Sequence, residues 1–249
     1  MENSFALRLT AAEKSNFLGR CYGWMALALF LSSVTAFFTA ANIYTVSASG
    51  KPVLSALGKI LFAGNGMGYI FLCIIEIALV LFLTAGIRKM SVGAACASFI
   101  AYSIVNGFTL SSIFAVYQIG SIANAFLATS ITFVLMCIWG SKTRSDLSKL
   151  GRYCVMALLG VVLATVLHIV LMLITKAPLA MLDLVISIAT VLIFTGLTAY
   201  DSQKILRTAE NARNNADFKK VAILGALELY LDFINLLLAL LRLFGKKRH

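Results

Sequence analysis

Long apolar runs separated by short polar intervals organise this chain, and their length says what they are. A helix rising 1.5 Å per residue needs roughly 20 apolar residues to cross a hydrocarbon core. Seven runs are long enough, over about 21–41, 66–86, 94–117, 120–140, 153–175, 180–203 and 221–243. On the last run Gly225, Glu228, Asp232, Asn235, Ala239 and Arg242 recur at steps of three and four, which places them on one helix face. On the run before it, Ser187, Thr190, Thr198 and Asp201 follow a similar line, interrupted by Phe194. The pattern predicts an all-α integral membrane protein. A seven-transmembrane helix bundle fills residues 21–243, between a polar tail, 1–20, and a basic tail, 244–249. Two polar stripes on consecutive helices are expected to face each other in the bundle interior, away from lipid.

Composition agrees: 61% of residues are apolar, 12% are charged and only two are proline, whereas soluble domains average about 25% charged. The first twenty residues are mixed polar with charges through Arg20, so the first run reads as an anchor and not as a cleavable signal. The terminal KKRH matches neither a prenylation box nor a retention signal. The tail and the second, fourth and sixth loops hold fourteen of the 21 Lys and Arg residues, which puts the N-terminus in the cytoplasm. Arg242, Lys246, Lys247 and Arg248 then lie outside, against that rule. A re-entrant hairpin in the seventh run, which Glu228 and Asp232 weaken, would return them to the cytoplasm. The net charge of +11 is this topology signal plus attraction to anionic head groups of membrane lipids. Its dispersal over loops on both sides speaks against nucleic acid. The five cysteines lie in or beside apolar runs without metal-ligand spacing and read as small core residues.

The carboxylates carry the chemistry. An ionised aspartate in hydrocarbon costs about 3 kcal/mol on insertion scales, yet Asp201 sits in GLTAYDSQKI and Asp232 in ALELYLDFINLLL. Hydroxyls alone would read as glue between helices, but glue does not require ionisable groups. Two carboxyls within hydrogen-bond reach cannot both ionise cheaply, so they share a proton; alkali leaves two repelling charges or recruits a cation. With waters and carbonyls, two or three carboxylates make a weak, hydrated site rather than the six to eight oxygens of tight calcium binding. A proton, sodium or potassium path would need similar acids. Asp232 falls near mid-bilayer and Asp201 near the end of its run, so contact requires the 180–203 helix to continue past Lys204 or the 221–243 helix to start near Asp217. Glu76, mid-span in CIIEIALV, needs a partner. His168 reads as a hydrogen-bonded core residue, Asp146 and Asp183 as helix N-terminal groups, and Trp24 and Trp139 as interfacial anchors. Asn106, Gly107 and Thr109 are expected to let the third membrane helix pack closely.

Taken together, AYSIVNGFTLSSIFAVYQIGSIANAF, SKTRSDLSKLG, GLTAYDSQKI and GALELYLDFINLLLALLRLFG resemble the Bax inhibitor-1 family, the transmembrane BAX inhibitor motif proteins, over roughly Gly19 to Gly245. Tyr200-Asp201 with Gln203, followed by Leu229-Tyr230-Leu231-Asp232-Phe233, is specific in combination. The short N-terminal tail is like the bacterial branch, which implies the bacterial cytoplasmic (inner) membrane. The resemblance implies a bundle with the last helix central and a pH-sensitive calcium leak channel, with calcium as the transported ion and no tightly bound cofactor. It implies a proton-sharing pH sensor and a weak calcium site at Asp201 and Asp232. It also maps onto Arg88 a basic latch that bonds an ionised aspartate, although Arg88 beside Lys89 also reads as an ordinary cytoplasmic flank. Glu228 departs from the family pattern, where a small hydroxyl residue is usual, and adds a third carboxylate. Glu228, Glu76 and Asn235 are candidate accessory polar groups.

Two other classes of function fit parts of the pattern. Asp201 and Asp232 on consecutive helices resemble the acid and base of presenilin-like intramembrane aspartyl proteases. However, LYL precedes the second aspartate where a GxG segment is needed, and no Pro-Ala-Leu follows. The expectation is therefore no enzyme. The other class is a non-conducting regulatory protein whose basic loops bind other membrane proteins in quality control or stress response. No GxxxxGK[ST] segment is present to couple transport to ATP.

Overall fold

The computed structural model describes residues 10–46, 52–62, 67–87, 89–175, 179–210 and 215–248. Among them the chain runs α1 (Ala11–Ala41), β1 (Tyr44–Val46), β2 (Pro52–Leu54), α2 (Ala56–Phe62), α3 (Met67–Gly86), α4 (Val92–Val116), α5 (Ile119–Lys142), α6 (Ser148–Thr175), α7 (Ala180–Glu210) and α8 (Asn215–Phe244). All the helices but α2 are long and apolar enough to cross a membrane, and these seven coincide with the seven runs. Helices are the natural solution there, because each satisfies its own backbone where no water can. Interior hydroxyls follow suit: Thr190, Thr198 and Ser202 each donate to the carbonyl four residues back.

Helix ends extend beyond the apolar runs for local reasons. α1 starts ten residues early on a capping box, with the Glu13 N–H donating to Thr10 Oγ1 at 3.3 Å and the Thr10 N–H to Glu13 Oε2 at 2.8 Å. α7 continues past Lys204 to Glu210, and α8 begins before Asp217; either extension meets the condition for contact between the aspartates. In the first loop, β1 and β2 pair antiparallel with Thr45 opposite Val53.

The last helix is central: α8 lies among α1, α4, α5 and α7. In its most apolar stretch 67% is buried, against 6% in α3 and 0% in α6. At the middle of the bundle the fully buried Tyr230 has its hydroxyl 2.8 Å from Asn106 Oδ1 of α4 and 2.6 Å from Ser32 Oγ of α1, with the rings of Phe99 and Tyr102 edge-on. α1 and α4 close up at Gly107, where a β-carbon would lie 2.7 Å from the Ser32 carbonyl oxygen. α5 and α7 touch backbone to backbone, Gly140 against the Ala199 carbonyl.

The re-entrant hairpin expected as an alternative for the seventh run does not form. α8 is one helix of 30 residues, about 45 Å at 1.5 Å per residue, and its Glu228 pairs with Lys204 of α7 inside the bundle. The basic tail is strapped to the α4–α5 turn: the Gln118 N–H donates to the Lys246 carbonyl and the Arg248 N–H to the Val116 carbonyl, at 3.0 and 2.9 Å. The opposite end of the bundle carries the start of α1 and the end of α7, joined by Lys14 and Glu210 at 2.7 Å.

Candidate functional site

The polar stripes of α7 and α8 face each other as the periodicity implies. Ser187, Thr190, Thr198 and Asp201 are buried on α7, and Asp232 is 4% exposed on α8. Asp201 and Glu228 are within electrostatic range of the Asp232 carboxyl, and Thr198 lies beside it. No donor reaches Asp232 Oδ2, a fully buried oxygen. The structure therefore brings Asp201, Asp232 and Glu228 into one cluster.

Among the described residues the cation paired with this cluster is Lys204. Its Nζ lies 2.6 Å from Glu228 Oε1 and 3.7 Å from Asp201 Oδ1. In the sequence Lys204 reads as one of the flanking positive charges. The signal that could have singled it out is its spacing, one helical turn from Asp201 and so on the same face. Arg88, the candidate latch, lies outside the described residues. Asn235 does not join the cluster, since its side-chain amide donates to its own Leu231 carbonyl at 2.8 Å.

Glu76 belongs to a second polar site on another face of α8. Its carboxyl points from α3 toward Asn106 and Thr109 of α4, but Glu76 Oε1 and Thr109 Oγ1 are buried without hydrogen-bond partners. Asn106 links this site to Tyr230, which lies two residues from Asp232 and hence about 200° around the helix.

The Gln203 of the Tyr-Asp-x-Gln motif is structural. Its Oε1 accepts from the Leu147 N–H at 3.0 Å and its Nε2 donates to the Ser145 carbonyl at 2.9 Å, which clamps the α5–α6 link over α7. In that link Asp146 takes hydrogen bonds from the Ser148 hydroxyl and N–H and from Arg207 Nη1, at 2.7, 3.0 and 2.8 Å. The Ser148 bonds first, and then Arg207, hold its carboxyl down at about 2. A polar cleft of about 150 Å³ opens beside them, lined by Ser148, Tyr200, Gln203, Lys204, Arg207 and Thr208.

Among the described residues no group of three or more His, Cys, Asp or Glu side chains is placed to hold a metal ion. The cluster has the makings of a site for a proton or a passing cation, and not of a tight metal centre. The family described as Inhibitor of apoptosis-promoting Bax1 matches residues 14–249. The chain belongs to this Bax inhibitor-1 family. It is 39% identical over 239 residues to the inner membrane protein YbhL of Escherichia coli strain K12, covering 95% of this chain and 94% of that one. It is similarly 37% identical over 237 residues to a protein of Borreliella burgdorferi (95% and 94% covered) and 32% identical over 237 residues to one of Deinococcus radiodurans (94% and 92%). As a Bax inhibitor-1 family member it is an integral membrane protein of seven spanning helices.

Proposed function

We propose that this protein is a pH-sensitive calcium leak of the bacterial cytoplasmic membrane, with its N-terminus in the cytoplasm and no enzymatic activity. The observation that carries this reading is Asp232 Oδ2, a carboxylate oxygen buried near Asp201 with no donor in reach. A buried acid of this kind is tolerated where it binds a proton or a cation. In acid, Asp201 and Asp232 share a proton and the basic partner of the cluster is released. In alkali the ionised carboxylates hold that partner, and the path is shut. Calcium, a weakly held cargo, then moves down its gradient with no resident cofactor.

The distribution of Lys and Arg supports the orientation, and the inner-membrane relative supports the location. The exposed apolar faces of α3 and α6 suit lipid. Calcium over other cations, and Arg88 as a latch, rest on the family resemblance. Purified protein in liposomes loaded with a calcium dye tests the reading across about pH 6 to 8, where carboxyls with perturbed titration operate. Flux above that of empty vesicles, rising toward acid, is expected; flux equal to empty vesicles at every pH overturns it.

A further inference from the structure

We infer that Lys204 is a tethered cation that occupies the ion position of the acid cluster and competes with the cation passing through it. The inference rests on the ion-path reading above and names the regulation of that site. An ammonium 2.6 Å from Glu228 Oε1 and 3.7 Å from Asp201 Oδ1 stands between the carboxylates that a weakly held, hydrated cation would pass. It is held by carboxylates of two helices.

The cluster also has an entrance and a destination. Lys204 lines the polar cleft of about 150 Å³ at the bundle end. Side-chain exposure falls from 40% at Lys204 to 22% at Glu228 and 12% at Asp201. Asp232 lies deeper, with Oδ2 reached by no donor. An ion entering from the cleft meets the ammonium before it meets that oxygen. Lysine suits the task, being a compact charge on a flexible stem that can swing back into the cleft, which a forked guanidinium does less readily.

The charges fix the direction of the effect. Three carboxylates and one ammonium leave two negative charges unbalanced when all are ionised, the charge a divalent cation neutralises. Among the described residues the other titratable groups facing the cluster are Cys21 of α1, Cys137 of α5, Cys154 of α6 and Tyr200 of α7, while Arg207 of α7 lines the cleft with Lys204 and bonds Asp146. Those four are not cations and Arg207 is held by Asp146, so among the described residues the competition lies between Lys204, a proton and the passing ion. A proton on the aspartate pair loosens the hold of Asp201 on the ammonium and opens the way; its loss in alkali restores that hold.

The test compares wild type, Lys204→Met and Lys204→Arg, purified in detergent at pH 8, by thermal unfolding across a calcium chloride series; a ligand that binds the folded state raises the midpoint with the logarithm of its concentration over its dissociation constant, so a tighter site responds from a lower concentration. Lys204→Met is expected to show a given calcium-dependent rise at about a tenth of the calcium concentration that wild type needs, or less. Lys204→Arg, which keeps the charge, is expected to stay within about twofold of wild type. Lys204→Gln serves the same comparison where the apolar variant does not fold. In calcium-dye liposomes the neutral variants are expected to carry at pH 8 the flux that wild type carries at pH 6. A neutral variant with wild-type calcium dependence of unfolding overturns the inference even where wild-type liposomes conduct. Wild-type liposomes that do not conduct overturn the leak, while the unfolding series still decides whether Lys204 competes for the cluster.

Discussion

The Tyr230 hydroxyl of α8 donates to Asn106 Oδ1 of α4 at 2.8 Å, 124 residues away in the chain. The same oxygen lies 2.6 Å from Ser32 Oγ of α1, which is itself 2.7 Å from the Ser103 carbonyl oxygen. One phenol thus ties three helices together at the centre of the bundle and sets the rotation of α8 that aims Glu228 and Asp232 at α7. Tyr230→Phe keeps the ring against Phe99 and Tyr102 but leaves Asn106 Oδ1 without that donor. Loss of a buried hydrogen bond with an unsatisfied partner costs about 1 to 2 kcal/mol. The unfolding midpoint in detergent is expected to fall by several degrees, and an unchanged midpoint would show that the hydroxyl network adds no net stability.

The Gly140–Ala199 contact predicts a sharper steric effect. A β-carbon at Gly140 runs into the Ala199 carbonyl, a backbone atom that cannot rotate aside, so α5 and α7 must part. Overpacking of this kind costs about 1 to 3 kcal/mol. Gly140→Ala is expected to lower the unfolding midpoint and Gly140→Val to lower it further, and equal midpoints for all three chains would contradict the contact. Because Ala199 is two residues from Asp201, the calcium response should weaken along with stability.

How much of this was legible beforehand depended on whether a residue's partner was local. The spans, the central last helix and the convergence of Asp201, Asp232 and Glu228 follow from run length, helical period and the insertion cost of an acid, together with the family motifs. Lys204 was hidden because a lysine just beyond an apolar run reads as a topology signal, while its partner Glu228 lies on the next helix, 24 residues on. Tyr230 was hidden because an aromatic in an apolar run reads as core, and only tertiary contact reveals the Asn106 bond. The early start of α1 is written in Thr10 and Glu13, a capping box that lies outside the apolar run. The β1–β2 pair is too short, at three residues a strand, for a period of two to show.

At the bundle end, the partners of Asp146 rank its determinants. The Ser148 hydroxyl and N–H contribute more than Arg207 to holding the carboxyl at about 2. Ser148→Ala is therefore expected to raise the Asp146 pKa more than Arg207→Ala, as read by carboxyl-carbon NMR over an acid titration. The group is depressed in the folded protein, so its stabilisation is present above the unfolded value near 4 and is lost as pH falls toward 2. It contributes nothing to pH dependence between 6 and 8, and Ser148→Ala should leave unmoved the pH at which calcium flux changes.

The aspartates themselves allow the most direct test of the proposed leak. Asp201 and Asp232 face one cluster from two helices, and each bears on the ionisation of the other. Groups coupled in this way release protons as a pair, so neutralising one removes the shared titration. Asp201→Asn and Asp232→Asn are each expected to abolish the pH response of calcium flux between pH 6 and 8 in liposomes, with the double variant no worse than either single one. Contacting residues of one network show this kind of non-additivity, whereas independent sites add. Glu228→Gln should instead shift the response without removing it, because it leaves the Asp201 and Asp232 carboxyls in place and takes away only the closest partner of Lys204, at 2.6 Å. Additive losses from the two aspartate substitutions would mean two independent acids, and the shared-proton sensor would have to be abandoned.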